Sequence, residues 1–200
     1  MPDRTSNDLG WGITIFDDLV AACGPVAFKY QEYFLEVMLQ AINHNDPSVR
    51  QSASFGAGIM AQKGGPDFHP ALKRALPCLL SVIQHPNCHE FGNKEATENA
   101  VSAILKICLV PEIGIPEQEY LPGVLGMLPF TEDQEEATFV YNHLCDLMLA
   151  HFQQYVLFAL FFFFFLKGGG GEGRDLRKAP ALFCFFCSVS LCLLSGSLDS

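Results

Sequence analysis

Phe34-Leu35-Glu36-Val37-Met38-Leu39, Ala75-Leu76-Pro77-Cys78-Leu79-Leu80 and Tyr120-Leu121-Pro122-Gly123-Val124-Leu125 superimpose as one pattern. Each has a leucine in second place and two apolar residues in the fifth and sixth. The leading leucines, Leu35, Leu76 and Leu121, stand 41 and 45 positions apart. Each copy is followed by a polar break and then a further stretch with apolar residues at helical spacing, alanine-rich in the first two. Recurrence at a fixed period of this length means that one helical unit is repeated, because no single helix pair can bury both its faces and neighbours must stack to complete a core.

Outward from these copies, a spacing of about 3.6 residues holds nearly everywhere from Trp11 to Met148, and period-2 alternation is scarce. Trp11, Ile15, Leu19 and Val20 make a leading stripe, ended by Gly24-Pro25. Phe34, Val37, Met38, Ala41 and Ile42 make the next, ended by His44-Asn45-Asp46. Val49, Ala53, Ala57 and Met60 follow, with Gly64-Gly65-Pro66 as the stop. Leu72, Leu76, Leu79, Leu80 and Ile83 predict a fourth helix, and Ala96, Ala100, Ala103, Ile104 and Ile107 a fifth. Tyr120, Leu121, Val124, Leu125 and Leu128 predict a shorter sixth. Thr131 is placed to cap a seventh, with Ala137, Val140, Tyr141, Leu144 and Met148 on its face. Asp46-Pro47-Ser48-Val49-Arg50 has the form of the turn into the second helix of a HEAT unit, with Asp46 as N-cap and Pro47 in the first turn. The period falls in the roughly 40–47 residues of HEAT and armadillo arrays. The expected fold is therefore all-α: a right-handed HEAT-repeat solenoid of antiparallel helix pairs, with an irregular hydrophobic tail. Residues 1–150 would hold about three repeats plus a leading helix, and 151–200 a Phe-rich tail outside the fold. The same stripes permit an ordinary helical bundle; the period and the Asp-Pro turn favour the solenoid.

The chain of 200 residues carries a formal net charge of −10, and its front supplies that charge: up to Leu166 there are 19 acidic and 8 basic residues. Such a surface repels nucleic acid and anionic membranes and favours basic partners. Cys23, Cys78, Cys88, Cys108 and Cys145 are scattered without paired spacing, which suits reduced thiols packed as small hydrophobes in the cytoplasm or nucleus. Met1 to Asp8 lacks the basic flank and apolar core of a signal peptide.

After about His151 the character changes. Tyr155 to Leu166 is an uninterrupted apolar run with five consecutive phenylalanines, Phe161 to Phe165; Gly168 to Gly171 follow, and a second apolar run spans Ala181 to Leu194. Each run is shorter than the roughly 18–20 residues of a membrane-spanning helix, which argues against a membrane role. A homopolymeric phenylalanine run is what a thymine-rich non-coding stretch gives when translated. The expectation is an alternative or spurious C-terminus, with a tail anchor or re-entrant hairpin as the competing reading.

No catalytic or metal constellation emerges, and the chain is read as a non-enzyme without cofactors. His85-x-x-Cys88-His89 has no second ligand cluster at zinc spacing. Cys184-x-x-Cys187 lacks the strand–helix context of a redox motif. Gly56-Ala57-Gly58, inside a helical stripe, reads as a place of close helix packing. Adjacent acids such as Asp17-Asp18 diverge around a helix and make no acid/base couple. What remains is a binding surface: Glu95 and Glu98, with Glu132, Asp133, Glu135 and Glu136, are expected at the beginnings of two second helices. Acids there complement the helix dipole. Stacked second helices would also set them along one groove, where they attract Lys/Arg-rich peptides.

Five stretches carry a more specific likeness: Trp11-Gly12-x-x-Ile15-Phe16-Asp17-Asp18, Phe28-Lys29-Tyr30-x-Glu32-Tyr33-Phe34, Gly58-Ile59-Met60-Ala61-Gln62-x-Gly64-Gly65, Ala96-Thr97-Glu98-Asn99 and Tyr141-Asn142-x-Leu144-Cys145-Asp146-Leu147. In that order, over roughly residues 11–150, they resemble the C-terminal third of a member of the importin-β (karyopherin-β) family. The resemblance implies a receptor that carries basic cargo bearing nuclear localisation signals through nuclear pores, moves between cytoplasm and nucleus, contacts nucleoporins, and releases cargo on meeting Ran in its GTP form. The family's amino-terminal repeats, where Ran is mostly bound, have no counterpart here, and the likeness stops at the phenylalanine tail. It therefore implies a fragment or truncated relative. A HEAT scaffold without cargo exchange and a non-functional truncated product are the alternatives.

Overall fold

In the computed structural model, residues 5–150 are described; the tail beyond them, with its phenylalanine run and Cys184-x-x-Cys187, lies outside the described residues. Seven α-helices account for most of the described chain: α1 (Ser6–Cys23), α2 (Gln31–Ala41), α3 (Pro47–Ile59), α4 (His69–Ile83), α5 (Phe91–Cys108), α6 (Glu117–Gly126) and α7 (Gln134–Ala150). Short 3₁₀ segments, Gly24–Tyr30, Pro66–Phe68 and Pro111–Ile113, lie between them. No strand occurs among the described residues.

The helices form two layers. In one, α3 packs against α1 on one side and α5 on the other, and α7 continues the row against α5. In the other, α2 lies on α1 and α3 and contacts α4, while α4 and α6 cover α5. One continuous core runs through the stack, from Ile13 and Phe16 to Val140 and Leu144. This is the all-α arrangement expected from the 41- and 45-residue spacing.

Local chemistry sets each joint. Thr5 caps α1 through a reciprocal box with Asp8, satisfying two of the N–H groups that a helix start leaves open. Asp46 caps α3, accepting from Ser48 N–H at 3.0 Å and Ser48 Oγ at 2.8 Å, with Pro47 in the first turn. At its C-terminal end α3 loosens into a π-turn over Met60–Gly64, and Gly65 stops it at φ +79°. The ring of Phe68 packs directly on Gly64: a Cβ there would stand 2.6 Å from Phe68 Cδ2. Phe68 itself is fully buried and meets Phe28 edge-on at 5.0 Å.

The stripes of α3, α4 and α6 face inward largely as their periodicity demands; Val49, Ala53, Ala57 and Met60 are wholly buried. On α1 the phase differs. Ile13, Phe16, Asp17 and Val20 point inward, whereas Trp11 and Ile15 are 71% and 69% exposed. Apolar residues occur on every side of this helix, so periodicity alone does not orient it; Phe16 stacking on Phe34 of α2 does. The stretch Ser6–Ala41 is apolar and long enough to cross a membrane. Gly24–Tyr30 instead breaks it into two helices whose aromatic faces meet.

The glycines of α3 act as expected from their place in the stripe. A Cβ at Gly56 would lie 2.1 Å from Asp17 Oδ1, and one at Gly58 would lie 3.0 Å from Lys106 Cδ. Their bare backbone lets α3 settle between α1 and α5, with the Asp17 and Lys106 side chains lying across it.

Candidate functional site

Helix α5 is buried without interruption from Ala96 to Cys108, although Thr97, Glu98, Asn99, Ser102 and Lys106 are polar. Packed by α3, α4, α6 and α7, it has no solvent face along this length. Its polar groups must therefore find partners inside, and several of them find these on α7 and the loop before it.

Glu98 is 2% exposed. Its carboxylate accepts from the backbone N–H groups of Thr131 at 2.7 Å, Glu132 at 3.0 Å and Asp133 at 2.8 Å. Asp133 in turn caps α7: Oδ1 accepts from the N–H groups of Glu135 at 3.1 Å and Glu136 at 2.9 Å, while Oδ2 accepts from Asn99 Nδ2 at 2.9 Å. The cap is therefore Asp133 and not Thr131, because a carboxylate held by Asn99 sits where two open N–H groups of the first turn point. Further along, Glu136 is 2% exposed and takes Lys106 Nζ at 2.7 Å on both oxygens. Phe55 and Phe139 flank that ammonium at 5.8 and 5.0 Å from their ring centres.

Of the six acids expected to form a binding groove, Glu98 and Glu136 thus point inward and position α7. Glu95, Glu132 and Glu135 are exposed and Asp133 is half-buried. Glu95 and Glu98 lie one and two turns inside α5 and not in its first turn, because the helix starts early: Asn93 and Lys94 N–H groups already donate to Glu90 O at 2.8 and 3.0 Å. The structure nevertheless gathers Glu95, Glu98, Glu132 and Asp133. Partial burial first, and then the charges of Asp133, Glu132 and Glu98, push the Glu95 carboxyl above its ordinary range. A cation placed there relieves that repulsion. Lys94 is the cation already in place, 3.9 Å from Glu132 Oε1 and hydrogen-bonded to Thr131 Oγ1.

Lys106 and Asn99 were not singled out in the sequence as site-forming residues. A lone lysine inside Ala103-Ile104-Leu105-Lys106-Ile107 is the visible signal, since a cation in an apolar run needs a buried partner. Cys88 is buried and His85 and His89 are exposed; among the described residues no three His, Cys, Asp or Glu side chains gather as a metal site.

Stacked helix pairs at this period, with second helices α3, α5 and α7 in one row, define a segment of a HEAT-repeat solenoid. No family model matches the chain. Importin subunit beta-3 of Saccharomyces cerevisiae is 26% identical over 139 residues, covering 69% of this chain and 13% of that protein. A probable importin-5 homolog of Dictyostelium discoideum is 31% identical over 148 residues, covering 71% of this chain and 14% of the relative. Human importin-4 is 29% identical over 119 residues, 60% of this chain and 10% of its own length. The crystal structure of the karyopherin Kap121p bound to the SUMO protease Ulp1p matches with a TM-score of 0.66 at 23% identity, over 74% of this chain and 14% of that one. That of Kap121p bound to RanGTP matches with a TM-score of 0.57 at 21% identity, over 98% of this chain and 17% of that one. The chain belongs to the importin-β (karyopherin-β) family, among relatives of the importin-5, importin-4 and importin β-3 kind. It spans about a seventh or less of the length of the curated relatives it matches.

Proposed function

We propose that this chain supplies part of the cargo-holding surface of a nuclear import receptor, and that the exposed acids at the α5–α7 contact attract lysine- and arginine-rich segments of cargo. The observation that carries the reading is the gathering of Glu95, Glu132 and Asp133 around α5 and the start of α7, where partial burial and then the neighbouring negative charges disfavour the Glu95 carboxylate, so that an added positive charge would stabilise it. Glu98 and Glu136, spent on internal bonds, fix the spacing of these acids and do not themselves meet cargo. The receptor role is supported by the importin and karyopherin relatives, one of which was solved with a protease partner and again with RanGTP. Exchange between cytoplasm and nucleus and contact with Ran and nucleoporins belong to the same proposal.

The test compares the full chain with a Glu95→Gln, Glu132→Gln, Glu135→Gln triple variant in binding a lysine-rich nuclear localisation peptide by calorimetry at low salt. The triple variant is expected to bind about tenfold more weakly, in keeping with the loss of partly screened charge pairs. A control variant with the same net charge, Asp67→Gln, Glu112→Gln, Glu119→Gln, alters exposed acids elsewhere. Equal weakening in both variants would reduce the effect to net charge and remove the site.

A further inference from the structure

Between the turn after α2 and the turn after α4 lies a polar cleft of about 360 Å³. No carboxylate lines it, although the chain has 22 acidic residues against 12 basic ones. Arg50, half-buried, forms part of the wall. One of its terminal nitrogens donates to the carbonyls of His44 at 2.7 Å and Asn45 at 2.9 Å, and the other to Asn93 Oδ1. Neutral oxygens hold this guanidinium. Arg74, Lys94 and Lys106 each have a carboxylate within 4.0 Å, whereas Arg50 has none among the described residues. The Asp46 carboxylate, one turn back, acts on Arg50 and His44 from beyond hydrogen-bonding range, but a partly desolvated cation whose hydrogen bonds all go to neutral oxygens retains much of its attraction for an anion.

The two histidines of the cleft are oriented alike. Asp46 N–H donates to His44 Nδ1 at 3.0 Å, and Asn87 N–H donates to His85 Nδ1 at 3.2 Å. A ring nitrogen that accepts carries no proton, so in each neutral ring the hydrogen resides on Nε2 and remains available to donate. One histidine stands on each of the two turns. The cleft thus offers a cation in its wall and a donor from either side, with the Asn87 and Asn93 side chains also lining it.

We propose that this cleft binds a phosphate group, with Arg50 supplying the charge and His44 and His85 donating through Nε2. Donors approaching from the wall and both turns suit a tetrahedral dianion, which presents oxygens in several directions, better than a planar carboxylate. The volume leaves room beyond the phosphate itself, so a free phosphate ion and a phosphoserine side chain are both sources of the same chemistry. The inference does not depend on the cargo reading, which concerns α5 and α7.

The test is a titration of the ¹⁵N-labelled full chain with inorganic phosphate, followed by the imidazole ¹H–¹⁵N resonances, with a chloride series at matched ionic strength. His44 and His85 are expected to shift saturably with one common dissociation constant, while His69 and His143 stay in place. His85→Ala, which removes an exposed side chain, is expected to weaken phosphate binding about tenfold, as loss of one hydrogen bond to a charged group implies. A phosphoserine peptide that binds more tightly than phosphate, with its unphosphorylated form silent, assigns the site to a phosphorylated segment. Equal affinity assigns it to the free ion. Identical shifts in the phosphate and chloride series, or undiminished binding by His85→Ala, would overturn the proposal.

Discussion

Asp17 sits in the α1–α3 contact at 3% exposure, with Oδ1 buried and without a hydrogen-bond partner among the described residues. Burial first, and the neighbouring Asp18 charge second, push its carboxyl from 3.8 up to about 8. The folded state therefore holds this proton more tightly than the unfolded one. The resulting stability is complete below pH 4 and is lost as pH rises through about 8. Asp17→Asn, which keeps the shape beside Gly56, is expected to raise stability at pH 8 by about 2 kcal/mol and to flatten the dependence between pH 4 and 8; urea unfolding at several pH values reads both effects. Lys106 and Glu136 show the opposite case, a buried charge with its partner. Glu136→Ala should cost about 3–5 kcal/mol by leaving the ammonium alone, whereas the Lys106→Met, Glu136→Leu pair should recover most of the loss; urea midpoints distinguish them. Little of this could be read in the sequence. In the sequence Asp17 is one of two adjacent acids that diverge around a helix, and Gly56, close to it in space and remote along the chain, is what makes room for it inside.

At the scale of elements, α7 is aimed by α5 more than by its own sequence. Glu98 gathers three backbone N–H groups of the approach to α7, and Asp133, steadied by Asn99, caps the first turn. Glu98→Ala is expected to destabilise the chain by about 2 kcal/mol and to speed hydrogen exchange over 131–137 ahead of α5; amide exchange read by mass spectrometry checks the order. The helices with one apolar face were legible: α3, α4 and α6 lie as their stripes require. Two were not. Helix α1 has apolar residues all round, so the buried phase is set by Phe34 across the contact. Helix α5 is surrounded by other helices, so its polar residues are buried too, and the acids expected in its first turn fall deeper in it.

For the whole molecule, repetition made the fold legible. Three copies of a short Leu-containing pattern at 41- and 45-residue spacing, with Asp46-Pro47 between helices, demand a stack whatever the details of any one helix. The acidic face was legible only as a set of residues. Periodicity brings Glu95, Glu132 and Asp133 to one contact but does not reveal that Glu98 and Glu136 turn inward, because that depends on the partners Thr131, Asp133 and Lys106 brought in by the stacking. If the exposed acids hold basic cargo, the attraction is electrostatic and screened over roughly 8–10 Å at physiological salt. The most direct measurement is the affinity of the full chain for a lysine-rich nuclear localisation peptide across a salt series. Affinity that falls steadily with salt, and that is lost when the peptide lysines are replaced by alanine, is the predicted result. No binding at low salt by a folded chain, or binding indifferent to salt and to the lysines, would contradict it.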